Sequence, residues 1–380
     1  MPPALWIDRP DQLAAAVARW GGAAAIAVDT EFVFERTYRP RLGIIQLAAG
    51  DEIALVDAVR LRDLSPLAAV LGGGPRKILH SGSGDLPILR RATGAATGPV
   101  FDTQIAAAFA GLGTGLSYAA LVKTLFGIEL GKHETRTDWL RRPLSADQLR
   151  YAAEDVEHLP GAAAELERRL TELGRLDWVL ADSAALAAID SDTPDPAVAW
   201  RRVKGLDRLP ASARAVGRAL AAWREREAER MDLARPFLLR DETIVALARR
   251  EALAMSDVAT LPGYDARRHG SHGARWIAAL AEARAAVDAG TAPPDDPPFD
   301  RAERDRRDAI EKAMAAVVTK KAAELELAPE LLLSRRQRER AIDAWGGSGS
   351  LADAVGGFRG ELFRAELDAL AVVTDPSQAG

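Results

Sequence analysis

Between Ala24 and Val56 the apolar positions fall in three short runs rather than at helical spacing. Ala24 to Phe32 turns polar at its end, Arg41 to Ala49 and Glu52 to Val56 follow, and only Gly50-Asp51 separates the last two. Runs of this length, broken by a Gly-containing pair, predict three strands, the second and third a hairpin. Ser65-Pro66 reads as a helix start, with Ser as N-cap and Pro at the first helical position. Lys77 to His80 reads as a buried strand running into Ser81-Gly82-Ser83-Gly84, a helix starts at Asp85, and Val100-Phe101-Asp102 gives one more strand. The order βββαβαβα predicts an α/β fold, one mixed sheet flanked by helices. From about residue 145 the strand signals stop. Ser145-Ala146-Asp147-Gln148 is a capping box opening a helix that holds Tyr151 and Asp155. Asp190 to Pro196 and Ala289 to Phe299 are polar, Pro-containing linkers, which divides the chain into an α/β domain over 1–189 and two all-α domains over 197–285 and 300–373.

Composition narrows the function classes. None of the 380 residues is Cys, which excludes a disulfide scaffold, a thiolate metal site and a cysteine nucleophile. No stretch reaches the roughly 18 unbroken apolar residues of a membrane span, and the start lacks the basic and apolar regions of a secretory signal, so a cytoplasmic protein without membrane contact is expected. A net charge of −5 argues against a chain that coats nucleic acid by charge alone. Locally the balance inverts: Arg201, Arg202, Lys204, Arg208, Arg214 and Arg218 face only Asp207 along the sequence, and Arg335-Arg336-Gln337-Arg338 forms a second cluster. Both are candidate phosphate contacts or solvated helix faces.

The candidate chemistry lies in carboxylates. Asp29 and Glu31 are two apart at the end of a predicted strand, so a period of two sends both to one face. Asp85 stands at the mouth of a strand-to-helix turn, where an Asp ordinarily caps the helix. Tyr151 and Asp155, four apart, share one face of a helix. Taken in order, Val28-Asp29-Thr30-Glu31-Phe32, His80 to Leu86 and Tyr151 to Val156 resemble the three motifs of the DEDD 3′-to-5′ exonuclease superfamily, and specifically the ribonuclease D family of its Tyr-containing subclass. Gly43 to Leu47, Phe101-Asp102-Thr103 and Lys132 to Trp139 are also similar to that family. Further on, Ala199 to Gly205 with Leu220 to Ala228 resembles the family's first HRDC domain, a helical nucleic-acid-binding module, and the last 80 residues resemble its divergent second copy. Gly84 departs from the polar residue frequent at that place.

The resemblance implies a ribonuclease H-like sheet followed by two HRDC-like domains. It implies an exoribonuclease that trims RNA 3′ ends, with transfer-RNA precursors bearing single-stranded 3′ ends as substrates and a monomer as the working form. It also implies two divalent cations, Mg2+ or Mn2+. Asp29 would bridge both, Glu31 and Asp155 would complete one site, Asp85 would reach the other through water, and Tyr151 would orient the attacking water. Four converging carboxylates agree with this, because hard cations prefer oxygen ligands and relieve the mutual repulsion. Gln46 either touches the terminal nucleotide or satisfies a buried backbone group. Lys132 and Arg136, and Arg201, Arg202 and Lys204, are candidate substrate contacts. His269 and His272 lie in a Gly-containing loop without further metal-binding neighbours, and Asp102 reads as structural. The alternatives are a DNA proofreading exonuclease, disfavoured because no polymerase or helicase segment accompanies the motifs, and an inactive RNA-binding adaptor, disfavoured because a pure binder has no use for four clustered carboxylates beside a polyanion.

Overall fold

A computed structural model describes residues 4–131, 137–189, 195–295, 301–346 and 349–374. Six strands form one mixed sheet: β1 (Leu5–Ile7), β2 (Ala25–Val33), β3 (Arg41–Ala49), β4 (Glu52–Asp57), β5 (Arg76–Leu79) and β6 (Val100–Asp102), in the spatial order β1-β4-β3-β2-β5-β6. β3 and β4 pair antiparallel with Ala49 opposite Glu52, the expected hairpin, and Gly50 takes the left-handed φ of 59° that its tight turn requires. β1 runs parallel to β4, and β2, β5 and β6 run parallel to one another. The short β1 has no counterpart among the strands expected from the sequence, because three residues are too few for a period-two pattern to register. Ser65 and Pro66 begin a helical turn as expected, but Ser65 lies inside it and Leu64 is the N-cap.

Strands β2 to β6 feed two cores. Ile26, Val28, Ile45 and Leu47 pack with Leu13, Trp20 and Leu89 on one face of the sheet, whereas Ala27, Ala48, Ile78 and Phe101 belong to the core on the other face, with Phe109, Val156 and Leu166. The same alternation places Asp29 and Glu31 on the face of Ala27, and Gln46 on the face of Ala48.

By backbone packing the chain divides into two units: residues 1–31, 42–189 and 298–380, and residues 32–41 with 190–297. In the first, the Arg301–Leu325 helix and those after it extend the sheet's second core. Met314, Val318, Leu333 and Phe363 are buried in one cluster with Phe109 and Leu170. The Phe358 ring stacks on Trp178 at 5.2 Å, and Arg359 forms a two-pronged ion pair with Asp182 at 2.6 and 2.7 Å. In the second, the Ala211–Arg230 and Gly273–Asp288 helices pack around Trp276, Leu220 and Leu238, and Tyr38 joins that core. There His269 accepts from the Asp265 amide at 2.9 Å and its other ring nitrogen faces the Pro236 carbonyl, so both nitrogens serve the fold.

Candidate active site

β2 ends on Asp29 and Glu31, and the Ala146–Glu157 helix brings Tyr151 and Asp155 to them. That helix opens on the expected capping box: the Gln148 amide donates to Ser145 Oγ at 3.1 Å, and the Ser145 amide donates to Gln148 Oε1 at 3.0 Å. The Trp139 ring leans on Tyr151 at 6.0 Å. Backbone closeness explains Gly43, where a Cβ would stand 2.6 Å from the Trp139 carbonyl oxygen and 3.1 Å from that of Glu31.

Asp85 occupies the first turn of the Asp85–Thr93 helix, but Gly84, not Asp85, is the N-cap. Its Oδ1 instead accepts from the Thr30 hydroxyl. The turn before it is held by Asp102. One carboxylate accepts from the amides of Ser81 (3.2 Å), Gly82 (2.8 Å), Gln104 (2.8 Å) and Ile105 (3.2 Å), and so caps one helix while fixing the approach to another. Ser81 takes a left-handed φ of 60°, and a Cβ at Gly82 would meet Leu79 at 2.9 Å. Asp102→Ala would leave several amides without an acceptor in a buried turn. It is expected to cost about 2–3 kcal/mol in urea unfolding, and an unchanged midpoint would remove Asp102 from this role.

The carboxylate oxygens of Asp29, Glu31 and Asp155 lie within 4.8 Å of one another, and Asp85 stands outside that set. Burial pushes all four toward the protonated state, and the neighbouring carboxylates add to it at Asp29 and Glu31. Burial, then the charges of Asp85, Asp155 and Glu31, raise Asp29 well above the ordinary carboxylate range. Burial followed by Asp155 and Asp85 takes Glu31 to about 8, against the hydrogen bond from Tyr151. Burial takes Asp155 to about 7 and Asp85 to about 6, opposed by the hydroxyls of Tyr151 and Thr30 respectively. Tyr151 is raised by burial and by the negative charges of Asp155, Glu31 and Asp29. Asp155 Oδ2 is buried with no hydrogen-bond partner among the described residues. An orphaned carboxylate oxygen, in a cluster whose donors are all oxygen, suits a hard divalent cation.

Comparison with known proteins agrees with this geometry. Residues 4–171 match a 3′-5′ exonuclease family and residues 213–280 match the HRDC domain. Ribonuclease D of Pseudomonas paraeruginosa is 35% identical over 377 residues, covering 96% of this chain and 97% of the relative. The chain belongs to the ribonuclease D family. Ribonuclease D of Escherichia coli K12 is 34% identical, covering 90% of this chain and 92% of its own. The crystal structure of E. coli RNase D, described as an exoribonuclease involved in structured RNA processing, superposes with a TM-score of 0.85 at 32% identity over 97% of this chain and 98% of that one. As a ribonuclease D family member the chain is a 3′-to-5′ exoribonuclease, the exonuclease family is metal-dependent, and its acidic cluster can take a metal ion.

The remaining sequence candidates fall differently. Gln46 is fully buried, and both its amide atoms lack partners among the described residues. Lys132 and Arg136 lie outside the described residues. Arg201, Arg202 and Lys204 are exposed on the second unit. Arg214 and Arg218, unopposed in the sequence, both pair with Asp295, at 2.7 and 2.9 Å. In the C-terminal cluster Arg335 pairs with Glu339 and Arg338 with Glu311. Three positioning residues carry no mark in the sequence: Thr30, and the pair Asp57 and Arg142. Arg142 grips Asp57 at 2.7 and 2.8 Å and also donates to the carbonyls of Trp139 and Gly43 at 2.8 Å each. Partners 85 residues apart leave no local signal.

Proposed function

We propose that this chain removes nucleotides one at a time from RNA 3′ ends with two divalent cations, magnesium or manganese, acting as a cytoplasmic monomer on transfer-RNA precursors with single-stranded 3′ ends. The observation that carries this reading is the convergence of Asp29, Glu31 and Asp155, with oxygens within 4.8 Å, around a carboxylate oxygen that has no partner among the described residues. The description of the E. coli relative as a processor of structured RNA supports the substrate class. In this reading Asp29, Glu31, Asp85 and Asp155 would hold the cations. The bound cations would supply Lewis-acid stabilisation of the charge developing on the phosphoryl oxygens and leaving group, and a more acidic water.

The protein's own groups set position. Tyr151 keeps its proton at neutral pH, since its pKa is raised, so it acts as a hydrogen-bond donor that orients the attacking water rather than as a base. Gln46 offers a buried amide, without a partner among the described residues, on the sheet face that carries Asp29. Lys132, Arg136, Arg201, Arg202 and Lys204 serve as substrate contacts, with the unit of residues 32–41 and 190–297 holding RNA and the unit of residues 1–31, 42–189 and 298–380 cutting it.

The deciding assay uses 5′-labelled single-stranded RNA and DNA of equal length with magnesium, manganese or chelator. Stepwise shortening of RNA from the 3′ end, abolished by chelator, is expected; internal cuts, preference for DNA or chelator-resistant cleavage would overturn the reading. Tyr151→Phe is expected to lower kcat by about 10- to 100-fold with RNA affinity unchanged, as befits an interaction made in the transition state. A decrease confined to binding would remove Tyr151 from that role.

A further inference from the structure

The unit formed by residues 32–41 and 190–297 holds a cavity of about 900 Å3, at the upper end of the roughly 300–1,000 Å3 usual for ligand sites. Arg202, Lys204, Arg224, Arg235, Arg240 and Arg249 line it against two carboxylates, Asp241 and Glu242. Three of these cations are already committed: Arg224 to Asp241 at 2.7 Å, Arg235 to Glu225, and Arg240 to Glu242 at 3.6 Å. Arg202, Lys204 and Arg249 are exposed, and their side chains have no ion pair or hydrogen bond among the described residues. With both carboxylates facing other arginines, the unmet charge of the cavity is positive.

The cavity wall is apolar, with Phe34, Pro236, Val245 and Ala246. Phe34 is 54% exposed, so much of its aromatic side chain is open to water. Its segment is nevertheless firmly held. The Tyr38 hydroxyl donates to Glu225 at 2.5 Å, Arg39 donates to Glu229 at 2.5 Å, the Ala234 amide donates to the Arg36 carbonyl at 3.0 Å, and the Arg235 guanidinium lies 4.6 Å from the Tyr38 ring centre. The open ring is therefore pre-organised.

Free cations beside an open aromatic face match one chemistry, a phosphodiester carrying planar bases. An acidic peptide would use the cations and leave the ring idle, and an inorganic anion would leave the apolar wall idle. We propose that this cavity binds a nucleotide of single-stranded RNA, with phosphate on Arg202, Lys204 and Arg249 and a base stacked on Phe34. The assignment rests on RNA as the substrate and adds Phe34 and Arg249, which no sequence signal marked.

The test measures binding of a fluorescent single-stranded oligouridylate to the full chain, in chelator and at several salt concentrations. Arg202→Gln, Lys204→Gln and Arg249→Gln should each weaken binding and flatten the slope of log affinity against log salt by about 0.7 for each phosphate no longer neutralised. Phe34→Ala should weaken binding by about 5-fold or more with the slope unchanged, and Phe34→Tyr should restore it. Arg267→Gln, an exposed cation outside the cavity, is the control. Variants that bind like the unaltered chain, while that chain still cleaves RNA, overturn the cavity assignment and leave the activity standing. A fall in affinity for polyglutamate equal to that for RNA, with Phe34→Ala silent, overturns it in favour of an acidic protein partner. An unaltered chain that neither binds nor cleaves RNA overturns both readings.

Discussion

Asp155→Asn is expected to reduce RNA cleavage by roughly 1,000-fold or more while making the metal-free chain more stable. The two effects share one origin. Asp155 contributes a buried oxygen without a partner among the described residues to a site where it repels Glu31 and Asp29. Replacing the charge by a neutral isostere removes a cation ligand and relieves that repulsion together. Asp29→Asn should behave alike, because Asp29 is flanked by three other carboxylates that raise its pKa. Cleavage assays and thermal melts in chelator measure the pair of effects. Near-normal cleavage by either variant would refute the metal-ligand roles, and a large drop in metal-free stability would mean that the side chain holds the fold instead.

The stability gap between this variant and the unaltered chain should depend on pH. Glu31 at about 8, Asp155 at about 7 and Asp85 at about 6 all titrate above their ordinary values of 4.5 and 3.8, chiefly through burial. A group that binds its proton more tightly when folded contributes stability below its unfolded pKa, and that contribution is lost as pH rises through the folded value. The unaltered metal-free chain should therefore match Asp155→Asn near pH 5 and fall below it by roughly 5 °C or more near pH 8. Comparing two chains at each pH cancels His80 and His272, whose pKa values burial lowers and which drive stability in the opposite sense. Saturating magnesium should close or reverse the gap, since cations select the carboxylate form. A gap that is constant across the range would mean that Asp155 carries no raised pKa.

Much of the catalytic face was legible because its information is local. Strand alternation sent Asp29 and Glu31 to one side, and helical spacing joined Tyr151 to Asp155. What stayed hidden is the pairing of residues distant in sequence. Thr30 next to Asp29 gives no hint that its hydroxyl will hold Asp85, 55 positions on. Arg214 and Arg218 look free until Asp295 folds back across them. The linker at 190–196 invites a cut there, but the helices after residue 301 bury Phe109 and stack on Trp178, so a chain ending near Ser191 would expose the core that supports the site. A composition shift marks where the chain can bend and carries no information about which pieces share a core.

That shared core has a consequence for synthesis. Domains ordinarily fold in the order in which they leave the ribosome. Here the chain visits the catalytic unit three times, at 1–31, 42–189 and 298–380, and interrupts it with the whole of the other unit. The nascent protein can close the helical unit as soon as residue 297 is free, with residues 32–41 already waiting upstream. The catalytic half, although begun first, lacks Met314, Phe363 and Leu367 until the last stretch has been translated. A ribosome that stalls or stops late thus releases a chain whose RNA-holding part is finished and whose nuclease is not.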